Sequence, residues 1–546
     1  MNFTIVGILL ITILGASIRI IGIDKDGGLW NDEYVSWAIA AIPFGKEFIK
    51  GMLTQCHMPL YYLYLKFFNI FSSDDTYLRI TSLVPSVLAI PMMFLVGKEK
   101  SKFSAFACAF FTAVSSLLVY YAQEVRFYSL LFLFSSISLY FTIRTVKKPD
   151  RYNIIGLVTA NLLILLTHTI GFVYVFFNIL YIYIKLRKSF KSLVNKLAIL
   201  SFILIALVSP IIVKILFLTN SMSQWWTNIN LYRVVQIFAD FFTPIISNVS
   251  VIENIHSLNI DAVCLIIPML IALVIYIAGF VDKNLRNDID IIYIAIATII
   301  ISLLAGLTGS LSLDAKYIIE IYPILIFTFC VIIDSYDRIW FKYFVLITFF
   351  LFQVLYIFSP NYAAKLPRYE GNKYVADLIK SAKLNKNDFI VLTYYPKSRF
   401  EKYIDFSKYN VYEIYKGNFN YFYEPFMTSE QALKDGKNRY RAAFINSTLP
   451  LNQYSESLLM SSVNRDVYSK MKKNQKVAFI FLDSVAFLDE YLFRAVVTNP
   501  ASYKKAALPY LVFSNIRNEI IKTIPLNIRD LKYEVKGAWT VVSFKY

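Results

Sequence analysis

Over residues 1–360 long apolar runs alternate with short polar ones. A helix crossing hydrocarbon about 30 Å thick needs roughly 20 mainly apolar residues. Such runs predict spans near 3–23, 77–97, 103–121, 127–146, 153–168, 170–185, 197–217, 259–281, 289–309, 317–334 and 339–359, about eleven in all. The first opens Met1-Asn2-Phe3 with no basic residue ahead of it and stays apolar longer than a signal peptide core, so it is expected to remain as an anchor.

The external segment 24–76 is neither spanning nor fully polar. In "PFGKEFIKGMLTQ", Phe44, Phe48, Ile49, Met52 and Leu53 share a helical face opposite Lys46, Glu47 and Lys50, the pattern of a helix lying in the interface. In "WNDEYVSWAIAAI" a second stripe of Trp30, Tyr34, Trp37 and Ala41 is flanked by Asp32 and Glu33, expected at the water boundary. Beyond Ser359-Pro360 no window is apolar enough to span. There Val375, Leu378, Ile379 and Ala382 keep helical spacing within 371–384, "FIVLTYY", "KVAFIFLD" (476–483) and "WTVVSFKY" (539–546) read as strands, and 484–498 reads as helix. The expected fold class is an α-helical polytopic membrane protein, residues 1–360, with a C-terminal extracytoplasmic soluble α/β domain, residues 361–546.

Composition excludes an ordinary soluble domain: 57% of residues are hydrophobic and 17% aromatic, and mean hydropathy is +0.54. Charge sets the orientation. Loops 98–102, 144–151, 185–196, 282–288 and 334–342 hold 16 Lys/Arg, whereas 120–126, 167–171, 218–258 and 310–316 hold only Arg126, Arg233 and Lys316. The first set is expected to be cytoplasmic. The Asp32-Glu33 loop and the C-terminus then lie outside a cytoplasmic (plasma or inner) membrane. Of the net charge of +18, much sits in 361–546, with 29 Lys/Arg against 17 Asp/Glu. On a membrane protein this points to anionic lipid or polymer neighbours and away from nucleic acid. Cys108, Cys264 and Cys330 fall in expected spans and only Cys56 outside, so no disulfide framework is implied.

Polar residues on the external side need an explanation. Asp32-Glu33, "QCHMPLYYLYL" (55–65), "YAQEVRFYSLL" (121–131), "LDAKYIIEIYP" (313–323) and, more weakly, "THTIG" (167–171) are scattered in sequence but share one membrane face in this topology. The chain resembles the GT-C superfamily, in the branch of protein O-mannosyltransferases and lipid A aminoarabinose transferases (glycosyltransferase family 39-like). The resemblance rests on the Asp-Glu pair, on His57-Met58-Pro59-Leu60-Tyr61-Tyr62, on Gln123-Glu124-Val125-Arg126-Phe127-Tyr128-Ser129, and on Lys316-Tyr317 with Pro323; it covers roughly residues 1–360. Gln55 and Cys56 stand where such enzymes often carry an acid, and Glu320 stands where a proline is usual.

The resemblance implies a polyprenyl-phosphate sugar donor and a hydroxyl-bearing envelope acceptor such as protein, lipid A or glycan. The residues fit that chemistry. A glycosidase needs a second carboxyl to protonate its leaving alcohol, but a departing phosphate is already anionic and needs cations. Asp32, with Glu33 beside it, would take the acceptor proton; Arg126, Lys316 and His57 would hold the donor phosphate. Gln123, Glu124, Tyr128, Tyr317 and His168 would support them, and the single displacement would invert the anomeric centre. With only three histidines, none at metal-ligand spacing, a protein-built zinc site is not expected; no cofactor is certain, and a weakly held divalent ion near Asp32 stays open.

Plainer roles stand beside these. Acids favour a helix start, Arg126 can snorkel or pair with Glu124, Lys316 can anchor at the interface, and His57 and His168 can pack or cap. Tyr61-Tyr62-Tyr64 and Trp225-Trp226 read as aromatic belt. The rival functions are a lipid-linked saccharide transporter or flippase, expected to carry charge at the bilayer midplane and internal repeats, and a non-catalytic polymer-export subunit.

Overall fold

The structure is a computed structural model that describes residues 3–53, 57–187, 231–243, 260–307, 314–357, 371–392, 397–413, 467–482, 528–536 and 539–545, with Ser209 and Arg465 as single residues. The expected span 197–217 (but for Ser209), the expected helix 484–498, Gln55-Cys56 and Trp225-Trp226 lie outside them. The described residues form two compact units. One holds those of 3–24 and 35–357; the other joins 25–34 to those from 371 onward.

The larger unit is helical: α1 (Phe3–Ile20), the body of α2 (Asn31–Ala41), α3 (Lys46–Leu53), α4 (Leu60–Asn69), α5 (Asp75–Lys98), α6 (Lys102–Val114), α7 (Ser116–Ala122), α8 (Tyr128–Lys147), α9 (Arg151–Thr167) and α10 (Gly171–Leu186) come first. Helices follow at Leu231–Phe242, Ile260–Val281, Ile292–Leu307, Tyr322–Ser335 and Ile339–Ile357. Helix starts follow polar side chains that accept an otherwise orphaned N–H: Asp74 from Tyr77 (3.0 Å), Ser101 from Ser104 (3.0 Å) and Asp150 from Asn153 (3.0 Å).

Among the described residues four helical segments are long and apolar enough to cross a membrane, α1, α5, α8 and Ala315–Ser335; α6 and α7, bent by 53°, together make a fifth. Shorter apolar helices lie at α9, α10, Ile266–Val281, Ile292–Ala305 and Ile339–Val354. The chain is a membrane protein. Loops expected on the cytoplasmic side pair with one another, Glu99 with Arg144 (3.4 Å) and Lys147 (3.1 Å) and Lys100 with Asp288 (2.6 Å), while Asp334 pairs with Lys342 (2.9 Å) within its own loop.

The α6–α7 bend is sealed by side chains, as buried backbone at membrane depth requires. Ser116 N–H, which in a continuous helix would reach Thr112 O, donates to Gln353 Oε1 instead (3.0 Å). The freed carbonyls are taken by Arg19, fully buried in the last turn of α1. Its Nη2 donates to Thr112 O (2.8 Å), its Nη1 to Ala113 O (2.7 Å) and Gly15 O (2.9 Å), and its Nε to Ser86 Oγ (2.8 Å). Arg19→Leu is therefore expected to lower stability by about 1–3 kcal/mol, because it orphans two buried acceptors. A thermal midpoint in detergent equal to wild type would count against this account.

Segment 24–76 departs from its expected stripes. Phe48 is buried against Ile39 and Tyr62, as the pattern requires, but Phe44 and Ile49 on the same stripe are exposed. In α2 the buried face includes Ser36, Ile39 and Ala40, while Ala41 is exposed. The end of α2 explains the shift. Lys66 Nζ donates to the carbonyls of Ala40 (3.1 Å) and Ile42, and sits 4.6 Å from the rings of both Phe44 and Phe48. A cation at a helix C-terminus is favourable, and burial pulls the Lys66 ammonium below its ordinary pKa.

The smaller unit is a five-stranded sheet in the order β2-β1-β3-β5-β4: β1 (Phe389–Leu392), β2 (Asn410–Glu413), β3 (Lys476–Leu482), β4 (Arg529–Lys536) and β5 (Trp539–Lys545). β1 runs parallel to β2 and β3, and β5 antiparallel to β3 and β4. The expected helix appears as Lys373–Ser381, and its Val375, Leu378 and Ile379 pack with Ile390, Ile480, Trp539 and Val541. β4 is an exposed edge studded with Arg529, Asp530, Lys532, Glu534 and Lys536, charges that keep an edge from pairing further.

Candidate active site

Four separated stretches and α2 meet in the larger unit. α7 stops at Ala122, and residues 123–127, all buried, link it to α8. In this link Arg126 is held by its carbonyl, which accepts from Ser82 Oγ (3.3 Å). Its guanidinium donates from Nη1 to Ser36 Oγ (3.1 Å) on α2 and from Nη2 to His57 Nε2 (2.8 Å), just ahead of α4. Arginine has only donors, so His57 Nε2 is the acceptor and its proton sits on Nδ1. Burial, and then the Arg126 charge, drive the His57 pKa well below 6.5, which keeps it neutral. Among the described residues His57 Nδ1 has no hydrogen-bond partner.

An aromatic column continues from there. The Phe127 ring lies 4.9 Å from His57 and 4.7 Å from His168, nearly parallel to the latter (22°), and His168 stacks at 6.5 Å and 9° on Tyr317. His168 is placed by the end of α9, where the chain turns extended. Lys316 and Tyr317 come from the 3₁₀ turn Ala315–Ile321, whose cap is Asp314. Lys316 Nζ is 5.1 Å from the Tyr317 ring and within electrostatic reach of Tyr128, Asp314 and Glu124. The two carboxylates offset part of the positive charge, so anion capture here relies on directed N–H donors as well as on net charge. Glu320, one turn further on, is fully buried, and neither carboxylate oxygen has a partner among the described residues.

The structure thus brings together Arg126, His57, Lys316, Glu124, Tyr128, Tyr317 and His168. Gln123 turns elsewhere, its Nε2 donating to the carbonyls of Arg19 (2.8 Å) and Ile21 (2.7 Å) and so closing the end of α1. Ser36, Phe127 and Asp314 were not singled out from the sequence. Ser36 had one usable signal, its position four residues after Asp32 on one helix. Among the described residues no three His, Cys, Asp or Glu side chains gather as metal ligands.

Asp32 and Glu33 belong to the smaller unit. They form the first turn of α2. Asp32 is half-buried. Glu33, expected at the water boundary, is buried, and its Oε2 accepts from Trp30 N (3.2 Å). This is the return half of a capping box, in which the third helical residue satisfies the N–H at the cap.

Neither a protein-family model nor a curated protein sequence matches the chain. Among solved structures, ArnT from Cupriavidus metallidurans in the apo state aligns with a TM-score of 0.50 and 11% identity over 98% of this chain and 97% of that one. The chain has the fold of ArnT. The GT-C resemblance drawn from the motifs is thereby borne out at the level of fold. ArnT bound to undecaprenyl phosphate aligns at 0.48 and 11% identity over the same shares. The archaeal oligosaccharyltransferase AglB from Archaeoglobus fulgidus, in complex with an inhibitory peptide and a dolichol-phosphate, aligns at 0.44 and 10% identity over 100% of this chain and 88% of that one.

Proposed function

We propose that the chain is an inverting glycosyltransferase that moves a sugar from a polyprenyl-phosphate carrier to a hydroxyl-bearing acceptor on the extracytoplasmic side of the membrane. One observation carries this reading. Arg126, His57, His168 and Lys316, from four separate stretches of an ArnT-like fold, converge in one cluster of cations and imidazoles, Arg126 and His168 buried and His57 and Lys316 half-buried. A lipid phosphate keeps its tail in hydrocarbon and its head at the interface, so the protein must supply donors at that depth.

In this scheme Asp32 accepts the proton of the acceptor hydroxyl as its oxygen bonds to the anomeric carbon. The anomeric C–O bond breaks on the opposite side, and its electron pair leaves with the lipid phosphate. Arg126 and Lys316 neutralise that phosphate, and the His57 Nδ1–H donates to it. Glu33 sets the start of the helix. A divalent ion has no part assigned here. The eleven spans and the outside position of 361–546 complete the reading, supported by the loop-charge asymmetry and by the pairing of loop 98–102 with 144–151 and 282–288.

The test uses purified full-length chain, a panel of radiolabelled undecaprenyl-phosphate monosaccharides, and envelope fractions from a deletion strain as acceptor. Label from at least one donor is expected to move to an envelope glycan, lipid or protein with inversion at the anomeric carbon. Consumption of none of the panel, or transfer with retention, would overturn the proposal.

A further inference from the structure

In the smaller unit several hydrogen bonds converge on one short stretch, Gly27–Leu29. Leu29 N–H donates to Tyr403 Oη (2.8 Å). Leu29 O accepts twice from Asn372, from its backbone N (3.3 Å) and its Nδ2 (3.2 Å), and Gly27 O accepts from Lys373 N (3.0 Å). Tyr34, in the first turn of α2, donates its hydroxyl to Ser398 O. Asn372 is fully buried, and its Oδ1 is held by the buried Arg399 Nε (3.1 Å).

Two details show that this is more than loop packing. Asn372 precedes the helix Lys373–Ser381, where an asparagine side chain would ordinarily cap its own helix. It makes no such cap: its Oδ1, the atom that would accept, is held by Arg399 Nε, while its Nδ2 and the N–H groups of Asn372 and Lys373 go to Leu29 O and Gly27 O. The approach is also too close for any side chain at position 371. A Cβ on Gly371 would sit 2.3 Å from Gly27 O, while Gly27 (φ 91°) and Gly28 (φ 73°) occupy the left-handed region that favours glycine.

We infer that the C-terminal unit is the positioning device for Asp32. Asn372, Gly371 and Tyr403 hold the backbone at Gly27–Leu29, and through it the start of α2, in the geometry the transfer reaction needs. This rests on the role proposed for Asp32. The three are positioning residues, three to five positions from Asp32 through the segment they grip, and a displacement of about 1 Å at a reacting group can cost about 10²-fold in rate.

The experiment uses the full chain in detergent with Tyr403→Phe, Asn372→Ala and Asn372→Asp, the last keeping shape and the acceptor for Arg399 but losing the donor to Leu29. Hydrogen exchange over 27–34 is expected to quicken in all three, with peptides of β1, β3 and β5 unchanged. With the undecaprenyl-phosphate sugar that wild type uses, kcat should fall about 10- to 100-fold in both Asn372 variants, and less in Tyr403→Phe, at unchanged donor KM. Placed in an Asp32→Asn background, Asn372→Ala should lower the residual rate no further, since it acts only through Asp32.

Unchanged exchange over 27–34 overturns the inference. So does normal kcat in the Asn372 variants beside an impaired Asp32→Asn enzyme, or a full additive loss in the double variant. An Asp32→Asn enzyme with normal turnover, or a wild type that consumes no donor, instead fells the functional reading and removes the inference's object with it.

Discussion

Asp32→Asn is expected to lower turnover by at least about 10²-fold while leaving undecaprenyl phosphate binding unchanged, the usual loss for a general base. Asparagine keeps the size of the side chain and its ability to accept a hydrogen bond, so the start of α2 should persist. What it removes is the basic oxygen. The proposed mechanism gives proton abstraction to Asp32, half-buried in the first turn of α2, and a capping role to Glu33, whose Oε2 accepts from Trp30 N. The matched control is Glu33→Gln, which keeps an oxygen for that N–H and should retain most of the turnover. Near-normal turnover in Asp32→Asn would return Asp32 to the plain role of an acid favouring a helix N-terminus.

Arg126→Ala is expected to lower kcat/KM by about 2–4 kcal/mol, through weaker donor binding and a less stabilised departing phosphate. The same change strips Ser36 and His57 of a partner, because the guanidinium joins both. Arg126→Lys should recover only part of the loss, since an ammonium cannot reach two partners with a planar fork. Lys316→Ala should act in the same direction with a smaller effect, its charge being shared with Asp314 and Glu124. The decisive measurement is undecaprenyl phosphate binding by both enzymes. Unchanged affinity in Arg126→Ala with lost affinity in Asp32→Asn would reverse the two roles.

Helices and strands were legible wherever one periodicity dominated a long window. The apolar runs that became α5 and α8, and the strands β3 and β5, need only local pattern, because burying such a run is favourable in any arrangement. β2 and β4 escaped notice for the opposite reason. β2 is half-exposed and β4 is a charged edge, and neither carries an alternating apolar signal. The candidate residues were legible as types: an acid pair, an arginine, a lysine and two histidines. Their partners were not, since Ser36, Phe127 and Asp314 are chemically ordinary until something is placed beside them.

The sequence by itself determined that this is a membrane protein with a C-terminal α/β portion, because hydrophobic length and periodicity act over neighbouring residues. Only the tertiary structure decided how the polar residues divide their work. Gln123 closes the end of α1, Glu33 caps α2, and Arg19 seals the α6–α7 bend, while Arg126 meets His57. The physical reason is the same in each case. A buried polar group must find a partner, and apart from the local Glu33–Trp30 cap that partner lies far along the chain, 69 residues away for Arg126 and His57 and 104 for Gln123 and Arg19, a pairing that no local pattern encodes.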